Sequence, residues 1–178
     1  MKNTKTRNMV ITALLTALTI LIPQLPLRVI IPPAFTATLT LHVPIFIAMF
    51  ISPWSAAFVA IGSAFGFVLT GLPPTVAARA STHVVFAVVG AYMLRSKRGN
   101  IWFKLALVWF VTMILHAAME AIIVIPAMRL FTNTENYAIY SAAYVTGIGT
   151  LIHHTIDYII TIPIVVALSR AKLIDLKI

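Results

Sequence analysis

Leu107–Pro126 reads LVWFVTMILHAAMEAIIVIP, and this stretch decides the fold. The run has the length of a membrane-crossing helix, about 20 residues. Within it His116 and Glu120 stand four residues apart, so a helix places them on one face. A charged side chain at the centre of a membrane helix costs about 2.5–3.5 kcal/mol on insertion scales. It is tolerated where it meets a partner, a cavity or a bound ligand. Other apolar runs offer counterparts: Arg79 with His83 and His153 with Asp157, at the same four-residue spacing, and His154 three residues before Asp157. The expectation is a membrane protein whose helices converge polar groups on a binding site.

Composition supports that reading. The chain has 178 residues, 61% hydrophobic and 10% charged, whereas soluble domains are about 45–50% apolar and about 25% charged. A chain of this size cannot hide so much apolar surface from water, so lipid is the solvent for much of it. Its length accommodates about six spans with short loops. The expected architecture is all-α, one transmembrane substrate-binding domain over residues 1–178, with no nucleotide-binding or catalytic domain. The net charge of +9 would suggest nucleic acid in a soluble protein. Here the basic residues flank apolar runs, which marks them as topology signals, and no nucleic-acid partner is expected. The absence of cysteine excludes disulfides and thiolate metal sites. The basic start MKNTKTR resembles a secretory leader, but Pro23 and Pro26 follow instead of a small-residue cleavage site. It is read as the flank of a first span.

The spans are expected at Met9–Leu25, Ala37–Ser52, Trp54–Leu72, Pro73–Leu94, Ile101–Pro126 and Ser141–Leu168. Gln24–Pro33 is proline-broken and reads as a loop or re-entrant segment. Met128–Tyr140 reads as a polar loop. With the N-terminus inside, Lys2, Lys5, Arg7, Arg95, Lys97, Arg98, Lys104, Arg170, Lys172 and Lys177 fall inside. Only Arg28 and Arg129 fall outside, with Arg79 near the outer end of span 4. Positive residues accumulate on the cytoplasmic side, so both termini are expected there.

Each polar group has a functional and a structural reading. Arg79 offers a bidentate fork for a carboxylate, or it snorkels to the interface or pairs with Glu120. His116 and Glu120 border a solute cavity, or they complete a structural ion pair. His153 and Asp157 read as a hydrogen-bonded pair; no HExxH-like spacing points to a metal, and no metal or cofactor is expected. Asn133, Asn136, Tyr137, Tyr140 and Tyr144 suit an interfacial belt or cover a small ligand. The Gln24–Pro33 loop reads as a lid over the same face, with Arg28 expected at its tip. Ala13-x-x-x-Ala17 and the Ala56, Ala60, Ala64 series let another helix approach closely, within the bundle or from another subunit. No nucleophile–base pair or paired carboxylates appear, so no enzyme activity is expected. A stand-alone secondary transporter or channel for a small solute is the alternative function, although the chain shows no clear internal repeat.

Three stretches carry a family resemblance: TALLTALTI after the basic start, HVPIFIAMFISPWSAAFVAIGSAFGF from His42 to Phe67, and RASTHVVFAVVGAYML from Arg79 to Leu94. With six spans and both ends inside, the chain resembles the S-component, the substrate-binding subunit, of an energy-coupling factor (ECF) vitamin transporter of the pantothenate/niacin type. The resemblance implies a vitamin site near the outer face, capped by the loop between spans 1 and 2. It also implies docking through span 1 onto a transmembrane coupling subunit driven by two ATPases, in the plasma membrane of a bacterium. On this sequence it places Arg79, His83, His116, Glu120, Asn133, Tyr144 and Arg28 as substrate-binding candidates and Ala13 and Ala17 at the docking face. Metal-specific members carry an N-terminal histidine motif that MKNTKTR lacks. Arg79 favours an anion, and therefore a carboxylate vitamin such as pantothenate or niacin.

Overall fold

The computed structural model describes residues 4–32, 35–96 and 99–174; Lys2, Lys97, Arg98 and Lys177 of the charge count lie outside them. Helix α1 (Thr4–Leu21) passes into a single 3₁₀ turn, Ile22–Gln24, at Pro23, where the missing N–H and fixed φ break the α pattern. Strands β1 (Arg28–Ile31) and β2 (Phe35–Thr38) form an antiparallel hairpin, with Arg28 opposite Thr38 and Ile31 opposite Phe35. Helices α2 (Val43–Met49), α3 (Pro53–Val68), α4 (Pro74–Ser81), α5 (His83–Arg95), α6 (Ile101–Phe131) and α7 (Asn136–Arg170) follow. Prolines open α2, α3 and α4, at positions where no intrahelical donor is needed. Ser52 caps α3 by accepting from the Ser55 N–H at 3.0 Å. Asn100 caps α6 by accepting from Trp102 and Phe103.

Burial along the long helices runs opposite to that of a soluble protein. On α7 the buried stripe includes Thr146, Thr150, His154, Asp157 and Thr161, while Ile148, Ile152, Ile156 and Ile159 face outward. On α6 the buried side carries Thr112, His116 and Glu120, and Phe110, Ile114 and Ile122 face outward. An amphipathic helix turned polar-side in has lipid as its outer solvent. Among the described residues, four segments are long and apolar enough to cross a bilayer: Thr4–Gln24, Pro74–Arg95, Ile101–Phe131 and Asn136–Arg170.

Two segments depart from the sequence expectation. Residues 37–52 do not form one helix: Thr38 ends β2, and α2 is seven residues long, about 10 Å. All seven are buried, so neighbouring helices, not lipid, surround this broken stretch, the condition under which irregular backbone is stable at membrane depth. The lid region likewise is a hairpin. Its β-branched residues Val29, Ile30, Ile31, Thr36 and Thr38 favour pleated structure, which the flanking prolines obscured. The loop expected over Met128–Tyr140 shrinks to the four residues between Phe131 and Asn136. Its polar side chains mostly extend the exposed ends of α6 and α7.

Helices α1 and α3 pack through small and hydroxyl residues. Thr19 Oγ1 donates to Val59 O at 3.0 Å, and Gln24 Nε2 donates to Gly66 O at 2.9 Å. A Cβ on Gly66 would lie 2.8–2.9 Å from backbone atoms of Thr19 and Ile20. Gly66→Ala is therefore expected to push the two helices apart and cost about 1–3 kcal/mol. A lowered melting temperature in detergent checks this; an unchanged one would mean the backbones part without cost. At the other end of the fold, Arg7 Nη1 donates to Lys172 O at 3.1 Å, so the start of α1 and the chain following α7 meet.

Candidate functional site

Four parts of the fold supply one buried polar cluster. The α4–α5 segment presents Arg79 and His83. The buried side of α6 presents His116 and Glu120, and that of α7 presents Thr150, His154 and Asp157. The connection from β2 to α2 adds His42. Arg79 is 4% exposed and Glu120 5%. Arg79 Nη2 donates to Glu120 Oε2 at 2.7 Å and to Thr36 O at 3.3 Å, and Nη1 donates to Thr36 Oγ1 at 3.3 Å. The guanidinium carbon also lies 5.6 Å from the Phe35 ring centroid, within cation–π range. Glu120 Oε2 accepts a second bond from Thr150 Oγ1 at 2.5 Å. Its other oxygen, Oε1, lies 3.4 Å from His83 Nε2 and 3.5 Å from His116 Nε2.

A second node fixes the lid to α7. Asp157 Oδ1 accepts from the Thr40 N–H at 2.8 Å. Its Oδ2 accepts from the His42 N–H at 3.1 Å, from His42 Nδ1 at 2.9 Å and from His153 Nε2 at 3.1 Å. His153 Nε2 also reaches Thr38 O at 3.2 Å. Thr40 holds a left-handed backbone at φ 68°, a conformation rare for a β-branched residue, and Asp157 secures it. Above this node Phe35 lies against α7 at Gly149, where an added Cβ would meet its ring at 2.5–2.7 Å. Between hairpin and helices remains a cavity of about 10 Å³, bordered by Thr36, Thr38, His42, Arg79, His83 and Glu120. That is close to the space of a single water molecule, so the hairpin closes the site.

Of the residues singled out in the sequence, Arg79, His83, His116 and Glu120 come together. His153 and Asp157 make the pair expected of them. Asn133 is exposed in the α6–α7 connection, and Tyr144 is 71% exposed on α7, away from the buried stripe. Arg28 lies at the base of the hairpin, where its Nη2 donates to Pro23 O at 2.8 Å; it is not at the lid's tip. His42, 1% exposed, was not singled out. The argument that drew attention to the other histidines, an imidazole inside an apolar run, applies equally to it, just before the proline-initiated α2. Thr36 and Thr150 carried no signal, since threonine is common in spans. Ala13 and Ala17 are exposed on α1, opposite its buried residues Leu15 and Thr19.

The fold and site are those of a multi-pass membrane protein that holds a buried arginine–carboxylate pair beneath a two-stranded hairpin. The chain is 38% identical to the niacin transporter NiaX of Lactococcus lactis subsp. cremoris (strain MG1363) over 179 residues, covering 98% of this chain and 80% of that relative. It belongs to the family of S-components, the substrate-binding subunits of ECF vitamin transporters. No family model matches the chain, and no solved structure matches it.

Proposed function

We propose that this chain is the substrate-specificity subunit of an ECF-type ABC uptake transporter, and that it takes niacin, as nicotinate, in preference to pantothenate. The observation that carries the reading is the buried Arg79 guanidinium, paired with Glu120 at 2.7 Å and reaching Thr36 of the hairpin at 3.3 Å. A carboxylate is the natural partner of that planar fork. Lifting the hairpin withdraws Thr36 and lets the vitamin carboxylate take its place, while Glu120 keeps its 2.7 Å bond. His42 and His83 bound the pocket on its polar side, and His116 stands against Glu120 Oε1 at 3.5 Å. Asn133, Tyr144 and Arg28 stand outside this pocket, and the reading does not rest on them. The named activity of the relative supports the substrate.

In this reading residues 1–178 form one domain with six passes and both termini cytoplasmic, in the plasma membrane of a bacterium. The Arg7–Lys172 contact supports an even number of passes. Ala13 and Ala17 lie in an open groove of about 810 Å³ between α1 and α3, bordered by Met9, Ile51, Trp54 and Phe58. A helix of the transmembrane coupling subunit fits there, with two ATPases supplying the energy for transport.

Calorimetric titration of the purified protein tests the substrate. Nicotinate is expected to bind one per chain. Nicotinamide, nearly the same shape but uncharged, should bind at least about 30-fold more weakly, from the loss of about 2 kcal/mol at the clamp. Equal affinity for acid and amide, or tighter binding of pantothenate, would refute the assignment. Nicotinate flux into liposomes containing this chain alone would favour a stand-alone transporter instead.

A further inference from the structure

The hydrogen bonds on the far sides of three histidine rings determine where their protons sit. His42 Nδ1 faces Asp157 Oδ2 at 2.9 Å, so Nδ1 carries the hydrogen. Ser63 Oγ gives its one hydrogen to Ala60 O at 2.7 Å and therefore accepts from His83 Nδ1 at 2.8 Å. Thr112 Oγ1 gives its hydrogen to Val108 O at 2.6 Å and accepts from His154 Nε2 at 3.1 Å. That leaves His154 Nδ1 with a lone pair, so it accepts from His116 Nδ1 at 3.0 Å. In a neutral imidazole a proton on Nδ1 leaves the lone pair on Nε2. His42, His83 and His116 thus all present Nε2 as an acceptor.

These acceptors converge. One ring nitrogen from each of the three lies within 4.8 Å of the others, and the Nε2 atoms of His42 and His83 are 3.5 Å apart. His116 Nε2 is fully buried and makes no hydrogen bond. Glu120 Oε1 adds a fourth acceptor at 3.4 and 3.5 Å, while Arg79 and Thr150 occupy its other oxygen. Several lone pairs facing one another with no donor between them repel, and a cation relieves that repulsion. Metal–nitrogen and metal–oxygen bonds of about 2.0–2.2 Å in a tetrahedron imply ligand atoms about 3.3–3.6 Å apart, which is the spacing of the three contacts given.

We propose that Nε2 of His42, His83 and His116, with Oε1 of Glu120, bind a divalent transition cation of the zinc, cobalt or nickel class. Imidazole with a carboxylate suits these ions. Asp157, Ser63 and the His154–Thr112 relay hold the opposite ring nitrogens, the outer support that fixes tautomer and ring orientation in metal sites. The ligands come from the α2 cap, α5 and α6, which is why no multi-histidine spacing marks the site in the sequence. The inference shares His83, His116 and Glu120 with the niacin reading but does not rest on it, and it is tested without vitamin.

The protein, purified through a tag without histidine and stripped with a chelator, is titrated with Co²⁺. One Co²⁺ per chain is expected, with the intense visible bands of a four-coordinate site, lost on adding Zn²⁺. His83→Gln and His116→Gln should each weaken Co²⁺ by at least about tenfold and abolish the bands. His153→Gln should retain them, because its ring serves Asp157 and Thr38. Zn²⁺ but not Mg²⁺ should raise the melting temperature of the unsubstituted protein, a readout that stands if a variant fails to fold. A folded, unsubstituted protein that leaves Co²⁺ with its aqueous spectrum overturns the proposal, and the cluster then holds protons. Loss of the bands in His153→Gln overturns it too, by moving the ion to the His42, His153 and Asp157 group.

Discussion

Arg79→Ala is expected to abolish measurable nicotinate binding at micromolar vitamin. Removing one member of a buried, hydrogen-bonded charge pair costs about 2–5 kcal/mol of affinity, or about 30-fold to several thousand-fold. The same change leaves Glu120 buried without its 2.7 Å partner, and orphaning such a charge costs about 3–5 kcal/mol of stability. Binding and folding losses therefore arrive together and need separating. Arg79→Ala combined with Glu120→Gln removes the stranded charge, so it should regain melting temperature yet stay unable to bind nicotinate. Arg79→Lys keeps the charge but loses the planar fork and should fall between. If the double variant binds nicotinate like the unsubstituted protein, the carboxylate is held elsewhere and Arg79 is only the structural counter-ion of Glu120.

The second large effect is expected at Asp157. Its two oxygens accept from two backbone amides and two histidine rings. Asp157→Asn removes the charge and turns an NH₂ group toward some of those donors. A loss of about 3–5 kcal/mol is expected, read as a lower melting temperature. Because the node secures Thr40 and His42, the damage should be local before it is global. Amide hydrogen exchange at Thr40 and His42 should speed up far more than exchange in the middle of α6. If both regions lose protection equally, Asp157 supports the bundle as a whole and does not anchor the lid.

The membrane class and the four polar residues at the core of the site were legible because burying ionisable groups in apolar runs is costly, so each such group marks a partner. That reasoning located Arg79, His83, His116 and Glu120 without any knowledge of how the helices pack. The length of the apolar runs also placed the long helical segments, as Pro74–Arg95 and Ile101–Phe131 show. It misread residues 37–52, because a run buried by protein on all sides looks like one surrounded by lipid. The hairpin stayed hidden because its pairing is set by tertiary contacts such as Phe35 against Gly149, and its prolines suggest an irregular loop. Asn133 and Tyr144 have the composition of a binding rim. Their direction depends on helical phase at the ends of α6 and α7, which a polar segment does not reveal.

The two-stranded sheet has a further consequence. Each strand has a single neighbour, and β1 turns Val29, Ile30 and Ile31 outward. The unpaired amides and carbonyls along its free edge have no place in hydrocarbon, where an unsatisfied backbone group costs several kcal/mol. They require headgroups or water. The hairpin thus works as a depth gauge: its free edge belongs at the polar boundary of the bilayer, which sets the height of the Arg79–Glu120 pair beneath it.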